Sequence, residues 1–93
     1  MIIGILKIRI HIPWSHSLKE KRSVVKSICG RVKNKFNVSI AEVEEHDLHQ
    51  IIVLGISYVT NDGAQAHRIG ENVLNFIQSN TEGDIIDIER ELY

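Results

Sequence analysis

The sequence predicts an α+β domain of six elements in the order strand–helix–strand–strand–helix–strand. Apolar residues alternate with period two in the strand segments and recur at helical spacing in two longer ones. Turn-forming residues (Pro13, the Glu45–Asp47 stretch, Asn61-Asp62-Gly63 and Thr81–Asp84) punctuate the joints. Ninety-three residues hold one domain, 1–93, with no repeat, linker or low-complexity tract.

In the first segment, "IIGILKIRIHI", Ile2, Leu6, Ile8, Ile10 and Ile12 fall on one face. Lys7, Arg9 and His11 fall on the other, the mark of a strand with one buried side. Pro13 ends it. Ser17 followed by Glu20 forms a capping box, hydroxyl and carboxylate each accepting from an otherwise unpaired backbone N–H. A helix then runs through residue 36, with Leu18, Val25, Ile28, Cys29, Val32 and Phe36 on its apolar stripe. "NVSIAEVEE" reads as the second strand, and "EHD" as a hairpin turn into "LHQIIVLGISYVT", the longest strand. "NDG" opens a second helix from Ala64 to about Ser79, with Ala66, Ile69, Val73, Phe76 and Ile77 on its apolar side. "IIDIERELY" is the last strand. This order is the ferredoxin-like βαββαβ unit, a four-stranded antiparallel sheet with two helices on one face. The fold hosts many functions and selects none of them.

Several blocks resemble the YlxP-like family of small bacterial proteins. They are "SLKEKRSVVKSI" (17–28), "KFNVSIAEV" (35–43) with an acidic residue and Asp47-Leu48 soon after, a glycine in the third strand, and "NDGAQAHRIGENVLNFI" (61–77). The resemblance runs the length of the chain and is strongest at 17–22 and 36–43. It implies a ferredoxin-like fold. The family's genes often lie among those for translation initiation and ribosome maturation, which implies a role near ribosomes or RNA.

Composition narrows the chemistry. A single cysteine, Cys29, excludes an internal disulfide and a cysteine-based zinc site. Its place on the apolar stripe makes it a small core residue rather than a nucleophile. The longest apolar runs are six residues, against the ~20 that cross a bilayer. The N-terminus lacks the charged, apolar and small order of a signal peptide, so a cytoplasmic protein with no membrane partner is expected. The loop after the first strand has no glycine to cradle a phosphate, which argues against an acylphosphatase-like enzyme. His46, Asp47 and His49 are the one arguable metal-ligating cluster. Their spacing suits a helix better than a hairpin, and solvated loop residues are the expectation. The expected protein is no enzyme and carries no cofactor or metal.

Charge is distributed unevenly. Residues 1–41 hold nine Lys and Arg against one Glu, and residues 42–93 hold two Arg against eleven Asp and Glu. Seven of the eleven Lys and Arg lie within 15–36. At about 100° per residue, Lys19, Arg22, Lys26 and Lys33 form a row along one flank of the first helix. Ser23, Ser27, Gly30 and Asn34 form a strip of small residues beside it. A basic row next to small side chains suits a phosphate chain, and Trp14 and His16 add stacking groups just before the helix. The competing readings are a solvated lysine-rich face and a docking surface for an acidic protein. Lys7 and Arg9 are placed to pair across strands with Asp87, Glu89 or Glu91.

The third strand is apolar on both faces, Ile51 and Val53 on one and Ile52, Leu54 and Ile56 on the other. Ile3 and Ile5 share the face opposite Leu6 and Ile8. Two helices cover one side of such a sheet, so a homodimer joined through Ile3 and Ile5 is expected, against the alternative of a small exposed patch. The combined expectation is a non-enzymatic RNA- or ribosome-associated protein that binds through Lys19, Arg22, Lys26, Lys33 and Trp14. A protein-interaction module and a small-ligand-sensing domain are the rivals.

Overall fold

The computed structural model describes all residues, Met1–Tyr93. It contains β1 (Ile2–His11), α1 (Leu18–Lys35), β2 (Ser39–Glu44), β3 (Ile51–Thr60), α2 (Gly63–Ser79) and β4 (Asp84–Leu92). The strands form one antiparallel sheet in the order β2-β3-β1-β4, so the two longest strands sit at the centre and β2 and β4 at the edges. This is the expected ferredoxin-like arrangement.

The core lies between the sheet and the helices. Register pairs Leu6 with Ile56, Ile8 with Leu54 and Ile10 with Ile52, and all six are buried. Ile28 and Val32 of α1 and Ala66, Val73 and Ile77 of α2 close over them. The helix-facing side of β3 is therefore Ile52, Leu54, Ile56 and Tyr58. The Tyr58 ring fills the space over Gly4, where an added Cβ would lie 2.1 Å from the ring. At the far ends of the helices Phe36 meets Phe76 edge-on, with centroids 5.5 Å apart.

The caps follow the sequence closely. Ser17 Oγ accepts from the Glu20 backbone N–H at 3.1 Å, and the Glu20 carboxylate accepts from the His16 N–H at 2.9 Å. Asp62 caps α2 by accepting from the Ala64 N–H at 3.1 Å.

Two boundaries differ from expectation around the β2–β3 hairpin. β2 begins at Ser39, after a bend at residues 36–37, and β3 begins at Ile51, so Leu48, His49 and Gln50 are loop. Before β3, side-chain contacts to other parts of the chain hold the loop in place of ladder pairing. Gln50 Nε2 donates to the carbonyls of Pro13 at 2.9 Å and Ser15 at 3.3 Å. Lys21 Nζ donates to the carbonyls of Glu45 and Leu48. Glu45 starts the loop with φ 58°.

The register of β2 on β3 also shifts between Glu42 and Glu44, with Glu42 opposite Leu54 and Glu44 opposite Val53. This β-bulge keeps Glu42 on the helix side and turns Glu44 to the open face. The bulged Val43 leans over Gly55, where a Cβ would meet its Cγ1 at 2.8 Å. Only glycine fits there, which gives the third-strand glycine a packing role.

The open face is partly covered by the chain itself. Lys7 pairs with Glu44 and, at 3.4 Å, with Glu89, while Arg9 reaches Glu45 at 3.7 Å. These long side chains roof Val53, which is only 1% exposed although no helix covers it. The expectation that both faces of β3 need separate cover is corrected at this end of the sheet. At the other end Ile3 and Ile5 are half-buried and Val59 is 65% exposed.

Candidate nucleic-acid interface

Helix α1 lies against the sheet through Lys21, Ile28 and Val32, its three buried residues. Lys19, Arg22, Lys26 and Lys33 are all exposed, on the flank expected from their spacing. The ion pairs of the chain involve Lys7, Arg9, Lys21 and Arg90, and none of the four flank residues takes part in one. Their charge is uncompensated at close range. Ser23, Ser27, Gly30 and Asn34 are exposed beside them, and nothing lies within 4 Å of where a Gly30 Cβ would be.

Trp14 is 39% exposed and lies on the far side of that strip, away from the basic row. It shares a groove with Ser23, Ser27 and Arg31 of α1 and with Asn80 and Glu82 of the α2–β4 loop. Arg31 Nη1 donates to Asn80 Oδ1 at 3.5 Å across it. His16 is exposed, and its backbone serves the α1 cap.

Sequence reasoning missed Lys21. Its side chain is 1% exposed, and its ammonium makes three contacts, 2.9 Å to Glu42 Oε2, 2.5 Å to the Glu45 carbonyl and 2.7 Å to the Leu48 carbonyl. Two of its N–H donors meet carbonyl acceptors, and the buried charge is paired with Glu42 Oε2, a buried oxygen with no hydrogen-bond partner of its own. The signal was present in the sequence. Lys21 stands three residues after Leu18 and seven before Ile28, on the apolar stripe itself, and Glu42 follows Ile40 on the inward-facing side of β2. The two blocks that carry the family resemblance most strongly, 17–22 and 36–43, meet at this ion pair.

Other candidate residues take plainer roles. His46 Nε2 lies 3.2 Å from the Glu42 carbonyl, and Asp47 and His49 are exposed. No group of three or more His, Cys, Asp or Glu side chains is gathered in a geometry that would hold a metal. Cys29 sits half-buried at the rim of the core rather than inside it. Burial pushes its thiol pKa up, while nearby Lys33 pulls it down. Tyr58, the one aromatic of β3, faces the helices and offers no stacking surface on the open sheet. No helix is long and apolar enough to cross a membrane.

Residues 3–90 match the family described as "Protein of unknown function (DUF503)". A curated relative, "Uncharacterized protein YlxP" of Bacillus subtilis (strain 168), is 42% identical over 78 residues, covering 84% of this chain and 85% of the relative. Among solved structures, the de novo designed protein LFR1 1 with ferredoxin fold aligns over 99% of this chain and 85% of its own, with a TM-score of 0.60 and 15% identity. The de novo designed protein Foldit4 aligns over 99% and 94%, with a TM-score of 0.51 and 17% identity. At such identities the likeness speaks to the fold alone.

Proposed function

The chain belongs to the DUF503 family of proteins of unknown function, and we propose that it is a non-enzymatic cytoplasmic protein that binds RNA, or an RNA-containing particle such as the ribosome, along the basic flank of α1. The carrying observation is that Lys19, Arg22, Lys26 and Lys33 are exposed in one row without an intramolecular counter-charge. Such a row attracts a polyanion by releasing its condensed counterions. Lys19 lies in the first turn, where the helix dipole also favours a phosphate. The acidic surface is on other elements, with Asp87, Glu89 and Glu91 on β4. Those charges repel RNA from other approaches and orient it on α1.

The same reading includes a homodimer through the open end of the sheet. Ile3, Ile5 and Val59 form a small apolar patch beyond the Lys7–Glu44 roof, and a domain of this size gains from covering it. RNA binding across a salt series tests the first part of the proposal, and sedimentation tests the second. An acidic protein partner would use the same basic row but would need apolar anchors beside it, whereas the residues beside it are Ser23, Ser27, Gly30 and Asn34.

A further inference from the structure

Resting on that reading, we infer that the groove at Trp14 is a nucleobase subsite, and that the RNA taken up along α1 is single-stranded there. Three features place a base in this groove and the phosphates elsewhere. First, Trp14 is the chain's only tryptophan and is 39% exposed, although a side chain of its size is usually largely covered. An exposed indole face stacks any base without regard to sequence. Second, the groove is walled by polar groups: the exposed hydroxyls of Ser23 and Ser27, the Arg31 guanidinium and the Asn80 amide. These groups hydrogen-bond a base edge. Third, the Glu82 carboxylate also lines the groove and disfavours a phosphate there.

The cationic row stands on the other flank, with the small residues of the helix apex between. A strand whose phosphates follow Lys19, Arg22, Lys26 and Lys33 can lay a base over Ser23 and Ser27 onto Trp14. The step across is about one helix diameter, roughly 10–12 Å, comparable to the reach of a nucleotide from phosphate to base edge. Gly30, with open space around it, leaves the crossing unobstructed. A base paired in a duplex is stacked on its neighbours and cannot make this step.

Because Trp14 is the sole tryptophan, its fluorescence reports the subsite directly. The experiment titrates the full chain with an oligoadenylate of about 12 nucleotides, and with the same strand paired to oligouridylate, at several salt concentrations. The single strand is expected to quench and shift Trp14 emission, and the duplex to leave it unchanged. Trp14→Leu is expected to weaken single-strand binding about 5- to 150-fold, the equivalent of roughly 1–3 kcal/mol for one stacked base, without changing the salt slope. Trp14→Phe, which keeps a ring, should retain most of the affinity. Salt-dependent binding of the single strand with unchanged Trp14 emission, or with Trp14→Leu binding like the wild type, overturns the subsite and leaves the RNA reading standing. Absence of any binding at low salt overturns both.

Discussion

Lys21 Nζ lies 2.9 Å from Glu42 Oε2 in the interior between α1 and β2, and the same ammonium caps the carbonyls of Glu45 and Leu48. One side chain thereby ties a helix, an edge strand and a loop together. Removing it leaves a carboxylate only 16% exposed without a partner, along with the Leu48 carbonyl, while the Glu45 carbonyl keeps the Leu48 N–H at 3.1 Å. Lys21→Ala is expected to cost about 3–5 kcal/mol in denaturant unfolding. Glu42→Gln, which leaves both carbonyl contacts intact, should cost less, about 1–3 kcal/mol. Lys21→Met combined with Glu42→Leu should recover part of the loss, because no buried charge remains. Strict additivity of the single changes would show that the two groups do not interact.

A second prediction concerns the glycine under Tyr58. A Cβ at residue 4 would lie 2.1 Å from the Tyr58 ring, so Gly4→Ala forces the ring or the strand to move. A loss of about 1–3 kcal/mol is expected on thermal or denaturant unfolding. In a Tyr58→Ala background the same change should be nearly neutral. An equal loss in both backgrounds would place the cause in the backbone of β1.

The third prediction is chemical. Burial holds the Cys29 thiol above its ordinary pKa of 9.0, despite the opposing pull of Lys33. A raised pKa means less thiolate at any given pH, and the thiolate is the reacting form. Alkylation of the folded protein by iodoacetamide should therefore be slower than in the denatured chain, with a rate midpoint displaced to higher pH. Lys33→Ala should displace it further. A midpoint below that of the denatured chain would mean that Lys33 outweighs burial.

Much of the fold was legible in the sequence because its cues are local. Alternation in β1, the Ser17–Glu20 capping box and the Asn61-Asp62-Gly63 start of α2 each depend on residues close in the chain. The β2–β3 hairpin was misjudged because its length is set from a distance. Lys21 lies more than twenty residues before the carbonyls it holds, and Pro13 lies 37 residues before the Gln50 side chain that donates to its carbonyl; no local pattern announces either contact. Of the candidate interface, the basic row was readable from helical spacing alone. That Trp14 shares a groove with the α2–β4 loop, on the far side of the small-residue strip, is a long-range contact that no spacing rule gives. The roof over Val53 was half visible: the Lys7–Glu89 pairing follows from strand alternation, but the Glu44 contact needs the bulge at Val43.

The fourth prediction addresses self-association. Wild-type protein should sediment as a dimer at micromolar concentration. Ile5→Lys, which sets a charge in the patch formed by Ile3, Ile5 and Val59, should give a folded monomer. A monomeric wild type contradicts the proposed interface and leaves the basic flank of α1 unaffected.

The most direct test of the central claim is the salt dependence of RNA binding. If Lys19, Arg22, Lys26 and Lys33 each contact a phosphate of a single strand, log affinity against log salt should fall with a slope of about −3, at roughly −0.7 per contact. Changing Lys26 and Lys33 together to Ala removes two exposed side chains that no ion pair uses, so the fold should persist while the slope flattens by about 1.4. An unchanged slope in the double variant, or no binding at low salt, would contradict the account.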